Sequence, residues 1–281
     1  MNSLKLFVIT TLTMIAFAAN SVLNRLALSD GDISPWSFTA IRFISGAIIL
    51  ALIARSKIAY DAGNWPSALA LFLYGALFSF AYLSLSAGTG ALILFAAVQI
   101  TMIAGGLLSG ERLNPVQWTG TAIAILGLIY LMSPSLETPP LVGGLMMMGA
   151  GIGWGLYSLR GKSAGDPIAQ TGGNFIRTAL ICLILSPIIL NVMPAAIMTQ
   201  KGILLALTSG IVTSGLGYVI WYMALKDLTA IRAAIAQLTV PVIAAIGGMI
   251  FIAEPMTWRF TLSALIILGG VGVATMTRQK S

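Results

Sequence analysis

The sequence predicts an all-α integral membrane protein with ten transmembrane helices in two inverted five-helix repeats. Ten apolar runs, each near the roughly 20 residues that a membrane-crossing helix needs, occupy most of the 281-residue chain. Hydrophobic residues make up 58% and charged residues 8%, against about 45–50% and about 25% in soluble chains. The mean hydropathy is +0.97. The chain also echoes itself: Arg25 and Arg42 lie 17 residues apart, and so do Arg160 and Arg177. The first Arg of each pair closes an apolar run, and the second follows an isoleucine inside the next. Glu111 and Glu254 end later runs at corresponding places.

The first run, 5–28, begins like a cleavable signal peptide, with Lys5, an apolar stretch and Ala16-Phe17-Ala18. Its apolar character continues to Leu28 and it matches the run at 141–160, so it reads as a retained first helix. The next four runs lie at 35–54, 66–86, 90–109 and 115–132. A Ser- and Pro-rich stretch at 133–140 is the linker-like segment between the halves. Five more runs follow at 141–160, 168–190, 202–225, 229–252 and 256–276. The repeats are therefore placed at 1–135 and 136–281. Connections are short, leaving no room for a sizeable soluble domain. Cys182 is the one cysteine, so no internal disulfide forms.

An odd number of spans per repeat makes the second half insert upside down, a common plan in secondary transporters. With the N-terminus in the cytoplasm, Lys5, Arg55, Lys57, Arg112, Arg160, Lys162, Lys226, Arg278 and Lys280 all fall inside. Lys201 and Arg259 fall outside with Asp30, Asp32, Glu137 and Glu254. That bias sets orientation. Corresponding connections exchange charge as inversion requires. Asp30 and Asp32 follow the first run, whereas Arg160 and Lys162 follow the sixth. Both termini are expected in the cytoplasm, and the membrane is expected to be a bacterial inner membrane. The net charge of +7 is scattered over loop ends, which suits this pattern better than nucleic-acid binding.

Several segments resemble the drug/metabolite transporter superfamily in its EamA-type ten-helix form. In the first half they are Asn20-Ser21-Val22-Leu23-Asn24-Arg25, Ser34-Pro35, Thr39-Ala40-Ile41-Arg42-Phe43 and Gly110-Glu111-Arg112-Leu113. In the second they are Trp154-Gly155-Leu156-Tyr157, Arg177, Pro241-Val242 and Glu254-Pro255. Each motif is short; their order, spacing and duplication carry the resemblance. Val98 stands where the second half has Pro241, so the halves differ there. Within the superfamily the chain is most similar to the YddG type. That resemblance implies export of amino acids and aromatic metabolites.

Aromatic residues recur at helical spacing. Tyr74, Phe78 and Tyr82 are four apart in the third run; Ser214, Tyr218 and Tyr222 repeat the spacing in the eighth, beside Trp221. Residues four apart share a helix face. The sixth run adds Trp154 and Tyr157. Two readings stand: a central cavity walled by rings with hydroxyl tips, or helix packing and interfacial belts. Mid-span amides are Asn20, Gln99, Asn174 and Gln237, and a polar group facing lipid is costly. Asn20, Phe78, Tyr82, Gln99, Trp154, Tyr157, Tyr218 and Gln237 are the expected substrate contacts. The alternative for the amides is interhelical hydrogen bonding.

Arg42 and Arg177 lie roughly 9–14 Å inside their helices at 1.5 Å per residue. They either bind a substrate carboxylate, or snorkel and tie helix ends, and the structural role is favoured. Glu111 and Glu254 are expected to clamp a loop or cap a helix N-terminus, with gating the second reading. Gly151 and Gly155 are expected to permit close packing or bending. Pro241 removes a backbone hydrogen bond and frees the carbonyl of Gln237, marking a broken helix at membrane depth.

The chain has no His and no Asp or Glu deep in any run, so no buried acidic proton relay is visible. No Walker A loop, zinc-ligand cluster or nucleophile–base pair is visible either. The expectation is a secondary transporter, not an enzyme, exporting small amphipathic metabolites, amino acids foremost, without a cofactor. Its partners are the solute and the lipid bilayer, with no nucleic acid and no obligate protein. Runner-up readings are a drug or nucleotide-sugar carrier, an intramembrane enzyme, and a structural or sensor subunit.

Overall fold

The computed structural model describes residues 3–54, 62–108, 114–133, 139–161, 166–192, 198–228, 236–237 and 239–276. Among the described residues ten helices stand out: α1 (Ser3–Ser29), α2 (Pro35–Ala54), α3 (Trp65–Ala81), α4 (Ala87–Leu108), α5 (Pro115–Met132), α6 (Leu141–Gly161), α7 (Pro167–Val192), α8 (Gln200–Leu225), α9 (Val240–Ile252) and α10 (Trp258–Met276). Seven are long and apolar enough to span a membrane, and α3, α9 and part of α10 form shorter apolar helices. The protein is an all-α, multi-pass membrane protein.

Helix starts follow local chemistry. Asn64 precedes Trp65-Pro66, and its side chain accepts the Ser67 N–H at 2.9 Å. Asn114 precedes Pro115 and exchanges hydrogen bonds with Gln117, a capping box. Proline fits there because the first-turn N–H has no helical partner to lose. The same rule applies to the ninth span. Pro241 lies in the first turn of α9, which starts at Val240 after the turn at Thr239. The third run also ends early: α3 stops at Ala81, and 82–86 turn into α4.

The packing pattern reveals the repeat. α6 packs on α3 and α4, while α1 packs on α8 and α9. α7 packs on α3, while α2 packs on α8. The most extensive other pairs, α2 with α7, α4 with α9 and α5 with α10, each join a helix to its own counterpart. Exchange of the two halves reproduces this main pattern. Connections also sort to two faces. Asn64 and Gly63, after α2, bond to Asn174 and Gln170 near the start of α7. This amino-terminal face also carries Arg160 and Lys226. Asp30 and Asp32, after α1, meet Lys201 at the start of α8 on the opposite face.

Lipid supplies no hydrophobic drive between helices, so small residues and close packing hold them. A Cβ on Gly153 would collide with Ala70 O and Tyr74 N of α3 at 2.8 Å. Large apolar side chains such as Leu52, Leu126, Ile184 and Ile250 cover the outer surface.

Candidate functional site

Three tiers of side chains run through the bundle between the halves. The middle tier is an aromatic and polar plug. Trp154 of α6 is at its centre, 3% exposed. Its ring lies 4.7 Å from Tyr218 of α8, 5.1 Å from Tyr74 of α3 and 5.4 Å from Phe17 of α1. Phe78 stacks on Tyr74 at 5.2 Å. The rings touch one another, so the open cavity expected between them is filled by the side chains expected to wall it.

Polar groups thread this plug. Asn20 Nδ2 donates to Tyr74 Oη at 3.2 Å. Asn20 Oδ1 accepts from Ser209 Oγ at 2.5 Å and Thr213 Oγ1 at 3.1 Å. Arg42 is wholly buried. Its Nε donates to Ser214 Oγ at 2.8 Å, and its Nη2 to Tyr218 Oη at 2.7 Å and Tyr74 Oη at 3.0 Å. Snorkelling, one form of the structural role expected for Arg42, does not occur: the guanidinium points into the bundle, over the rings of Tyr74, Phe78 and Phe43 at 5.1–5.4 Å.

The backbone is adapted to this contact. α8 is α-helical over Gln200–Thr208 and Gly217–Leu225, but π-helical over Ser209–Leu216. π segments are rare and cluster at functional sites. Here the widened turn carries Ser209, Thr213 and Ser214, which bond Asn20 and Arg42. It also carries Gly210, where a Cβ would strike Ser45 Oγ and the Arg42 carbonyl.

On the opposite face a clasp closes the plug. Arg25 Nε donates to Glu254 Oε1 at 2.9 Å, and Arg25 Nη1 to the carbonyls of Tyr82 and Leu83 at 2.9 and 3.3 Å. Glu254 Oε2 accepts the Ala87 N–H at 2.8 Å, so its charge sits at the N-terminus of α4, where it is favoured. Tyr82 belongs here: its hydroxyl donates to Ala87 O at 3.3 Å. Beside the clasp is a recess of about 280 Å³ lined by Ser86, Thr89, Glu254 and Phe260 among others.

On the amino-terminal face Tyr157 meets Tyr222 at 5.8 Å. They line a recess of about 40 Å³ with Asn64, Asn174, Arg160 and Lys226. Arg177 donates to the Ala62 and Gly173 carbonyls at 2.6 and 3.0 Å and lies over Trp65 at 5.9 Å, holding the turn before α3. The two echoing arginines therefore do different work.

Gln99 of α4 and Gln237, ahead of α9, are both buried. Pro241 is buried in the first turn of α9. Gly151 and Gly155 let α6 approach α4: a Cβ on Gly151 would meet Leu94 O at 2.5 Å, and one on Gly155 would meet Thr101 at 2.8 Å. Glu111 lies outside the described residues. Phe17, Ser209 and Thr213 are plug residues that sequence reasoning misses; the last two are four apart, the same spacing that marks the tyrosines. Charges outside the spans pair as expected of exposed groups. Hydrogen bonding to Lys201 holds the Asp30 and Asp32 carboxyls below their ordinary value. Among the described residues no three His, Cys, Asp or Glu gather to hold a metal.

A protein of Pseudomonas aeruginosa whose activity is uncharacterized is 45% identical over 273 residues, covering 96% of this chain and 94% of its own. A probable amino-acid metabolite efflux pump of Escherichia coli is 23% identical, covering 94% and 92%. The threonine/homoserine exporter RhtA of the same species is 30% identical over 186 residues, 64% of this chain and 61% of its own. A crystal structure shares the fold, with a TM-score of 0.66 at 19% identity over 95% of this chain and 98% of that one. The EamA-like transporter family matches twice, over residues 5–133 and 141–276. With two family units, a helix-only bundle and a polar plug between its halves, the chain is a membrane transporter of small molecules and belongs to the EamA-like transporter family.

Proposed function

We propose that this transporter exports amino acids and related amphipathic metabolites across a bacterial inner membrane by alternating access, with both termini in the cytoplasm. The observation that carries the reading is the plug around Trp154. Rings from α1, α3, α6 and α8 converge on it, so both halves contribute to one site. Its indole N–H has no hydrogen-bond partner among the described residues, although a buried Trp N–H normally finds one. A solute with an apolar body and a few polar atoms would satisfy that donor and replace ring–ring contacts with ring–solute contacts. The two halves, 1–135 and 136–281, would rock about this point.

In this reading Asn20, Phe78, Trp154 and Tyr218 touch the solute in the plug, and Gln99 and Gln237 approach it from α4 and the segment before α9. Tyr157 lies on the route from the amino-terminal face. Tyr82 lies with the clasp on the other. Gly151, Gly155 and Pro241 stand where α6 and α9 would shift. The relatives named for amino-acid metabolite and threonine/homoserine export support the solute class. Cells producing the chain and preloaded with labelled phenylalanine, threonine or methionine should release at least one of them faster than control cells. Equal release of all three would remove amino acids from the proposal.

A further inference from the structure

We propose that Arg42 is the carboxylate anchor of the transport site, and that the solute is therefore a monocarboxylate whose acid group matters more than its amine. This rests on the export reading above and names the chemistry within it. Arg42 lies seven residues beyond Pro35, about 10 Å along α2 at 1.5 Å per residue, and it is 0% exposed. The ion pairs seen among the described residues join Arg25 to Glu254 and Lys201 to Asp30 and Asp32; Arg42 is in none. Its charge is met by three neutral hydroxyls and three ring faces. Its Nη1 has no partner among the described residues.

A charge inside the bilayer is costly. Tying α2 to α3 and α8 through hydroxyls needs only donors, which a neutral amide would supply without that cost. The full charge is used only when an anion arrives. A guanidinium presents a planar fork that matches a carboxylate with two parallel hydrogen bonds. Tyr74 and Tyr218 link this fork to the rest of the plug. Their hydroxyls accept from Arg42, and their rings lie against Trp154. Two unpartnered donors, Arg42 Nη1 and Trp154 Nε1, thus flank one pair of tyrosines. Donors on both sides call for an acceptor-rich, singly anionic group. Phe17, Phe78 and Trp154 offer an apolar seat for the remainder.

Among the described residues the amine finds no equivalent. The acidic residues described, Asp30, Asp32, Asp166, Asp227 and Glu254, all lie at helix ends or in connections. An ammonium would meet ring faces and amide oxygens instead of a carboxylate. The site therefore selects for the acid and tolerates loss of the amine.

The test is ligand-induced stabilisation of the purified full chain in detergent. The probes are phenylalanine, threonine and methionine, each beside its carboxamide, with 3-phenylpropionate as the amine-free acid. At saturating probe, at least one acid should raise Tm by ~3 °C or more, while its carboxamide leaves Tm unchanged. 3-Phenylpropionate should shift Tm wherever phenylalanine does. An R42Q variant should lose the shift. Equal shifts by acid and carboxamide, no shift by any acid, or an undiminished shift in folded R42Q would overturn the anchor. Should R42Q fail to fold, the acid–carboxamide comparison on the native chain decides. Failure of the export reading has a different signature: acids bind in preference to carboxamides, yet none is released from preloaded cells.

Discussion

Arg25 and Glu254 are 229 positions apart in the chain and meet at 2.9 Å. One closes α1 in the first repeat, and the other follows α9 in the second. Glu254 also accepts the first amide of α4, and Arg25 also holds the two carbonyls after α3. One ion pair therefore joins α1, α4, the turn after α3 and the segment after α9 at a single face. The side chains are 21% and 12% exposed, so water weakens the pair less than it would at an open surface.

The first prediction follows from this clasp. Glu254→Gln keeps the shape but removes the charge facing Arg25 and the α4 N-terminus. Hydrogen bonds to charged groups contribute about 1.5–3 kcal/mol each, and the amide retains part of them. Thermal unfolding in detergent should show Tm lowered by several degrees. A thiol introduced as Ser86→Cys should also react faster with a membrane-impermeant maleimide when combined with Glu254→Gln than when introduced alone. An unchanged rate would mean that the pair does not close that face.

A second prediction concerns the plug. Trp154→Ala and Gln237→Ala should each reduce solute exchange by about tenfold or more, equivalent to about 1.4 kcal/mol of lost interaction. Membrane expression should stay near that of the native chain. Normal exchange in both variants would move the site away from α6 and α9.

A third prediction concerns the π segment. Gly210→Ala places a methyl against Ser45 Oγ and the Arg42 carbonyl. Overpacking of this kind costs about 1–3 kcal/mol. The variant should unfold at lower temperature, and Gly269→Ala, where a Cβ meets nothing within 4 Å among the described residues, should not. Similar losses in both would remove the α2–α8 contact from the explanation.

A fourth prediction is a pH dependence. Hydrogen bonds from Lys201, followed by its charge for Asp30 and by the Thr199 hydroxyl for Asp32, hold both carboxyls below their ordinary value of 3.8. A carboxyl depressed by folding stabilises above its unfolded pKa. That contribution disappears as pH falls through the folded value, so it is constant from about pH 5 upward and lost below about 4. Lys201→Met should lower Tm slightly at about pH 7, where the contribution is present, and converge with the native chain well below about pH 4, where it is already lost. The groups are exposed, so the effect should be small and weakened by salt.

The fold was legible in the sequence because lipid imposes simple requirements. Nearly every span had to be a long apolar run, and the exchange of charge between corresponding connections announced the inversion. Helix ends were less legible. The turn after Ala81 is built from Ser84 and Ser86 inside an apolar stretch, and Pro241 reads alike as a kink or a first-turn residue. Tyr218 stood out by its four-residue spacing from Ser214 and Tyr222, Trp154 as a large aromatic beside Tyr157 in the sixth run, and Asn20 as an amide in mid-span. The role of Arg42 was hidden for the opposite reason. Its echo, Arg177, suggested that both arginines share one task, yet Arg42 bonds Tyr74 and Tyr218 while Arg177 holds the Ala62 and Gly173 carbonyls. The π segment changes which residues of α8 share a face, a shift that regular helical spacing cannot express.

The most direct measurement of the central claim is counterflow with purified protein in liposomes. Vesicles loaded with unlabelled phenylalanine, threonine or methionine are diluted into a trace of the labelled amino acid. The account predicts a transient, protein-dependent accumulation of label for at least one of the three, and a loss of about tenfold or more with Trp154→Ala. No accumulation above protein-free vesicles for any of them would contradict it.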